Sequence, residues 1–85
     1  MSLQVRLYSR PGCHLCDDAL AELQRLQRLA RDHPLTLQVV DITAEAELMQ
    51  RYGERIPVLE VGGREYDAPL RREVLERALA EAAAT

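Results

Sequence analysis

Apolar and polar residues alternate at the start of the chain, and the spacing then becomes helical. The alternating apolar residues of the first segment are Leu3, Val5 and Leu7. They predict a strand with one buried face at about residues 3–8. After a break at Pro11-Gly12, apolar residues recur every three or four positions and predict a first helix over about residues 14–32. Alternation returns at about residues 35–41 as a second strand, which completes a right-handed parallel strand–helix–strand unit.

The second half of the chain begins with a shorter helix and a hairpin. Thr43 suits the start of a helix and Gly53 suits its end, so a short second helix is predicted between them. An apolar run at about residues 58–61, the turn Gly62-Gly63 and a returning segment at about residues 64–66 predict two antiparallel strands.

A last helix is predicted to follow, with Asp67 and Pro69 in its first turn. Its apolar stripe comprises Leu70, Val74, Leu75, Ala78, Leu79 and Ala82. The predicted order is therefore β-α-β-α-β-β-α, an α/β fold with a four-stranded mixed sheet and three helices. A chain of 85 residues is long enough for one hydrophobic core, so we expect a single domain over residues 1–85.

Composition and charge narrow the class of protein. Apolar residues make up 47% of the chain and charged residues 29%, the balance of a globular protein. The net charge of -3 comes from dispersed charges without a basic stripe, so we expect no nucleic-acid partner. No apolar stretch approaches the roughly 18 residues of a membrane span, and no signal segment is recognisable. We expect a cytoplasmic monomer that does not bind membranes.

Both cysteines of the chain lie where the first helix is predicted to begin. Cys13 and Cys16 are separated by three positions, and in a reducing compartment such a pair favours redox catalysis or metal binding over a structural bridge. Amide N–H groups at the start of a helix stabilise a thiolate on Cys13. Arg10 adds positive charge nearby, and His14 is a candidate for tuning the acidity of that thiol.

Two separated motifs in the right order give the chain a family resemblance. The first is the segment 5–9 followed by Pro11-Gly12-Cys13-His14-Leu15-Cys16, and the second is Arg55-Ile56-Pro57-Val58 before the hairpin. With this order of elements the chain resembles the thioredoxin superfamily, most closely the small glutaredoxin-like proteins. The resemblance covers nearly the whole chain and implies a thioredoxin-like, glutaredoxin-type fold.

The resemblance also implies roles for individual residues. By position, Cys13 would be the nucleophile and Cys16 the resolving cysteine. Pro57 takes the place of the family's cis proline, which faces the cysteine pair, and backbone groups of Ile56 would bind an extended stretch of substrate. Arg10 matches the basic residue that glutaredoxins place three positions before the first cysteine, which makes it a candidate for substrate binding.

The chain departs from the glutaredoxin pattern at two places that concern glutathione. The family's Gly-Gly-x-Asp stretch, whose backbone holds the carboxylate of glutathione, is replaced by Tyr66-Asp67-Ala68-Pro69, and Thr-Val-Pro is replaced by Arg55-Ile56-Pro57. These departures weigh against glutathione as the direct partner. No tightly bound cofactor is expected, because the chain lacks a Gly-x-Gly-x-x-Gly turn for a flavin or nicotinamide.

The sequence thus favours a thiol–disulfide oxidoreductase that acts on a disulfide of a protein or of a small thiol compound. Turnover would need an external reductant. A binding or adaptor module of the same fold, with idle or regulatory cysteines, is an alternative. A third reading is metal binding through Cys13, Cys16 and His14, completed by a second molecule, although two cysteines are too few for a site of four cysteine ligands.

Overall fold

The computed structural model describes residues 2–84, and within them the chain forms four strands and three α-helices. In chain order these elements are β1 (Leu3–Ser9), α1 (His14–Leu29), β2 (Leu35–Asp41), α2 (Ala46–Tyr52), β3 (Val58–Val61), β4 (Arg64–Tyr66) and α3 (Arg72–Ala84). A short 3₁₀ turn, Ile42–Ala44, joins β2 to α2. The predicted order of elements is confirmed. None of these helices is both long and apolar enough to cross a membrane.

The four strands form one mixed sheet in the order β2-β1-β3-β4. β1 is parallel to β2, with Leu3 opposite Leu35 and Ser9 opposite Asp41. β3 is antiparallel to both β1 and β4. The central position of β1 matters for the site, because the chain leaves the carboxyl end of this strand directly toward the cysteine pair.

Two apolar clusters cover the two faces of the sheet. The larger cluster packs α1 and α3 against one face, and its buried members are Val5, Leu7, Ala19, Leu23, Leu35, Leu59, Val61, Leu75 and Ala78. The smaller cluster packs α2 against the other face through Tyr8, Ile42, Tyr52 and Val58. Neighbouring residues of β1 enter different clusters because successive side chains of a strand point to opposite faces.

The first helix is shorter than predicted. α1 ends at Leu29, and the backbone of Ala30 is already extended, with ψ of 97°. The chain must reverse before β2, where Leu35 is buried and pairs with β1. The amide of Leu3 donates to the carbonyl of Pro34 over 2.8 Å, which fixes the end of this connection. The apolar periodicity through residue 30 did not show where the turn had to begin.

Two predicted helix starts are also wrong. Thr43 lies in the 3₁₀ turn, where its amide and hydroxyl donate to Asp41 Oδ1 over 2.9 and 2.6 Å, and α2 begins only at Ala46. Asp67 and Pro69 precede α3 by several residues, since that helix begins at Arg72. Asp67 is therefore not in a first helical turn, and its carboxylate has a different partner.

Candidate functional site

The cysteine pair lies at the start of α1. Cys13 is the residue that caps this helix, and its Sγ accepts a hydrogen bond from the amide of Cys16 over 3.1 Å. The two cysteines form a disulfide, with their Cα atoms 5.2 Å apart. Cys16 is 2% exposed, whereas Cys13 is only partly buried. The predicted contact between a helix amide and the sulfur of Cys13 is confirmed.

A tight turn connects β1 to this helix. Arg10, Pro11 and Gly12 are exposed, and Gly12 has φ of 79°. This is the left-handed region that side chains disfavour, so glycine suits the turn that brings the chain from the end of the strand to Cys13. His14 is the first residue of α1, and its side chain is exposed.

A second proline-containing segment approaches the helix start from the other side. The Ile56-Pro57 peptide bond is cis, as the family resemblance implied, and Pro57 is fully buried. Ile56 packs against the smaller apolar cluster. Pro57 also lines a hollow of about 340 Å³ together with Leu15 and Asp18 of α1. The hollow therefore borders the first turns of α1, the helix whose start carries the cysteine pair.

The far wall of the hollow comes from the connection between β4 and α3. Pro69, Leu70 and Arg71 line it, and the Ala68-Pro69 bond is also cis. The two proline segments are joined behind the hollow, where the amide of Ala68 donates to the carbonyl of Arg55 over 3.4 Å. Apolar side chains thus predominate in the lining, with one acidic and one basic residue among them.

Side chains join the same two segments more strongly. The guanidinium of Arg55 donates to Asp67 in a two-bond arrangement, with Nη2 2.8 Å from Oδ1 and Nε 3.0 Å from Oδ2. Nη2 also lies 3.0 Å from Glu65 Oε1. These bonds, those to Asp67 first, raise the pKa of Arg55, and the guanidinium in turn lowers the pKa of the Asp67 carboxyl.

Tyr52 anchors this charged group to the smaller apolar cluster. Its hydroxyl donates to Glu65 Oε2 over 2.6 Å, and its ring stacks on Tyr8 with the centroids 4.1 Å apart. The guanidinium carbon of Arg55 lies 5.2 Å from the centre of the Tyr52 ring. Burial raises the pKa of Tyr52, and the hydrogen bond from Tyr52 is the leading cause of the lowered pKa of Glu65.

The comparisons with known proteins agree with this architecture. Residues 4–82 match the family model described as glutaredoxin-like domain (DUF836). The chain belongs to the glutaredoxin-like family. The predicted family and the predicted thioredoxin-like fold are thereby confirmed. No curated protein matches the chain significantly.

Solved structures of several proteins resemble this glutaredoxin-like chain. A structural-genomics target protein from X. campestris is 38% identical, with a TM-score of 0.73 over 92% of this chain and 97% of that one. A protein from Nitrosomonas europaea is 29% identical, with a TM-score of 0.73 over 91% of each chain. A malarial protein at 15% identity, with a TM-score of 0.70 over 96% of this chain and 98% of that one, shares the fold.

The structure brings only some of the predicted site residues of this glutaredoxin-like chain together. Cys13 and Cys16 are bonded to each other, and Pro57 borders the hollow beside them. Roles for Arg10, His14 and Ile56 stay predictions. Within residues 2–84 no three metal-binding side chains of the His, Cys, Asp and Glu types form a cluster that could hold an ion.

Sequence reasoning overlooked the hollow itself. Leu15 belongs to the apolar periodicity that predicts α1, yet it is 62% exposed and lines the hollow. Pro69 and Leu70 are predicted in the last helix, but they precede it and form part of the far wall of the hollow. One signal was available, because a second proline close to a charged residue, Asp67-Ala68-Pro69, parallels Arg55-Ile56-Pro57 in spacing.

Proposed function

We propose that the chain is a thiol–disulfide oxidoreductase in which Cys13 attacks a substrate disulfide and Cys16 resolves the product. The observation that carries the proposal is the hydrogen bond from the Cys16 amide to Cys13 Sγ, together with the greater exposure of Cys13. A donor at the positive end of a helix favours the thiolate, which is the reactive form of cysteine.

The first half of the reaction forms a mixed disulfide. The Cys13 thiolate attacks one sulfur of the substrate, the substrate S–S bond breaks, and the other sulfur leaves as a thiolate that takes a proton from water. Cys13 takes this role because it is the less buried of the two cysteine residues. A substrate next to Cys13 would lie along the hollow bordered by Leu15 and Pro57.

The second half releases the reduced substrate. Cys16 loses its proton, its Sγ attacks Cys13 Sγ, and the remaining substrate sulfur leaves as a thiolate and is protonated. The substrate disulfide has then gained two electrons and two protons, and the protein carries the Cys13–Cys16 disulfide that the structure contains. An external dithiol or thiol reductant must return the pair to the reduced form. The substrate is a disulfide of a protein or of a small thiol compound.

Trapping of the mixed disulfide tests these roles. In Cys16→Ser the resolving thiol is missing, so we expect a peptide disulfide to remain bound to Cys13, which mass spectrometry of the intact protein detects under non-reducing conditions. The matched control is Cys13→Ser, which keeps one cysteine but places it in the buried position, and we expect little adduct. Equal trapping by both variants would contradict the assignment of roles. A wild-type protein that reduces no model disulfide would favour an adaptor.

A further inference from the structure

Arg55, in the segment that leads into Pro57, has the properties of a carboxylate receptor. It directly precedes Ile56-Pro57, and its side chain is 33% exposed. A guanidinium presents several N–H donors in one plane, and their spacing matches the two oxygens of a carboxylate. A ligand that is attached to Cys13 and crosses Pro57 would bring its own carboxylate toward this guanidinium.

An internal carboxylate already occupies that receptor. Asp67 accepts from both Nη2 and Nε of Arg55, which is the arrangement that a ligand carboxylate would need. Glu65 takes a further bond from Nη2, and the carbonyl of Arg51 accepts from Nη1 over 3.4 Å. A ligand carboxylate must therefore displace Asp67 and also approach two negative charges.

The position of this ion pair links it to the hollow. Arg55 and Asp67 each stand two residues before a proline, and both of these prolines, Pro57 and Pro69, line the hollow next to Leu15. The ion pair thus lies where the two walls of the hollow are joined. A ligand carboxylate that extends past the prolines to Arg55 meets a guanidinium already paired with Asp67, whereas a neutral ligand loses nothing there.

We infer that Asp67 is a specificity-determining residue that excludes carboxylate-bearing thiol compounds, such as glutathione, by occupying Arg55. Exclusion of these compounds implies a preference for neutral disulfide substrates, and this consequence rests on the proposed function. It also makes the two departures from the glutaredoxin pattern, at positions 55 and 67, parts of one ion pair.

Binding of S-methylglutathione, which has carboxylates but no free thiol, tests the inference without any redox step. In Asp67→Ala the Arg55 guanidinium loses its two bonds to Asp67 and can bind a ligand carboxylate. We expect the variant to bind S-methylglutathione at least about tenfold more tightly than wild type, which is the effect of one hydrogen bond to a charged group. Isothermal titration calorimetry measures both affinities. Arg55→Gln added to Asp67→Ala should abolish the gain.

The matched control is Glu81→Ala, which also removes one negative charge and breaks one ion pair, the one with Arg64. The Glu81 side chain is 45% exposed, similar to the 49% of Asp67. We expect no gain in this variant. Unchanged binding in Asp67→Ala, or an equal gain in Glu81→Ala, would overturn the inference. Should Asp67→Ala not fold by circular dichroism, Asp67→Ser is the second variant, held to the same comparison.

Kinetics then separate this inference from the proposed function. We expect the ratio of kcat/KM for glutathione disulfide to kcat/KM for neutral hydroxyethyl disulfide to rise in Asp67→Ala by about the same tenfold factor. A ratio that does not rise contradicts the role of Asp67. Failure of wild type and all variants to reduce either compound contradicts the proposed function, and the binding comparison still decides the role of Asp67.

Discussion

Glu65 links the smaller apolar cluster, through Tyr52, to Arg55. One carboxylate oxygen accepts from the hydroxyl of Tyr52, a residue that is almost completely buried, and the other accepts from Arg55. Nη2 of a second arginine, Arg51, lies 3.6 Å from Glu65 Oε2. Buried tyrosine hydroxyl groups require a partner, and a carboxylate is a strong one. The position of Arg55 is thereby tied to the packing of Tyr52.

The first prediction concerns pH. The pKa of Glu65 is lowered, by the bond from Tyr52 first and by that from Arg55 second, so the ionised form stabilises the folded protein. This contribution is complete above the ordinary glutamate pKa of about 4.3 and is lost as the pH falls through the lower value of the folded state. We expect Glu65→Gln to make the free energy of unfolding less dependent on pH in this acidic range.

Urea unfolding at a series of acidic pH values measures that dependence. Asp67 and Glu22 also have lowered pKa values, so part of the wild-type slope should remain in the variant. Glu81→Gln is the control, since the Arg64–Glu81 pair is exposed and such pairs contribute little to stability. An unchanged slope in Glu65→Gln would show that the bonds to Glu65 do not stabilise its ionised form.

At the residue scale the sequence identified the cysteine pair and Pro57 but not the partners of Arg55. The i, i+3 spacing at a helix start identified the cysteine pair, and the family motif identified Pro57, because each of these signals lies within a short stretch of sequence. The contact of Arg55 with Asp67 crosses the whole β3–β4 hairpin. A pattern of apolar positions gives the face of an element, and it contains no information about which charged side chains meet across a loop.

At the element scale the hairpin turn is held against the last helix. Gly62 and Gly63 have φ of 62° and 77°, so both positions favour glycine. They differ in their surroundings: a Cβ on Gly62 would lie 3.1 Å from the Cβ of Ala82, whereas a Cβ on Gly63 would meet nothing within 4 Å. The turn was predicted from sequence, but its close approach to α3 was not.

This difference gives a paired prediction. Gly63→Ala should cost about 1–2 kcal/mol of unfolding free energy, because alanine is strained in the left-handed region. Gly62→Ala should cost more, since it adds a close contact with Ala82 to the same backbone strain. Urea unfolding of both variants measures the two losses under identical conditions. Equal losses would mean that α3 shifts to accept the added methyl group without cost.

The helix boundaries show why elements are predicted better than their ends. The periodicity of α1 and α3 depends on which face is buried, and it identified that face apart from Leu15, which is exposed, and Leu70, which precedes α3. Their ends depend on where the next strand must enter the sheet and on side chains such as Asp41, which accepts from Thr43 and forms a 3₁₀ turn in front of α2. A capping residue in the sequence was therefore assigned to the wrong turn.

At the scale of the whole molecule, different side chains of the same helix, α1, serve the core and the hollow: Ala19 and Leu23 enter the core, whereas Leu15 and Asp18 line the hollow. The larger apolar cluster lies between the sheet and the helices α1 and α3, and Leu75 at its centre is 0% exposed. The hollow lies at the amino end of α1, where Leu15 points outward. The sequence predicted the order of elements and the mixed sheet because both follow from alternation and connection length. It did not predict the hollow, which forms where three separate segments meet.

Substitution by alanine should affect stability at Leu75 and turnover at Leu15. Leu75→Ala leaves a cavity in the core and should lower the free energy of unfolding by about 2–5 kcal/mol, with kcat/KM unchanged while the protein is folded. Leu15→Ala should change that free energy by less than about 0.5 kcal/mol, because the side chain is exposed. It should also lower kcat/KM for a peptide disulfide by about tenfold, the effect of losing one apolar contact surface.

Urea unfolding and a disulfide reduction assay below the melting temperature measure both quantities. Loss of turnover in folded Leu75→Ala, or full turnover in Leu15→Ala, would contradict the separation, because the core and the hollow would then not act independently.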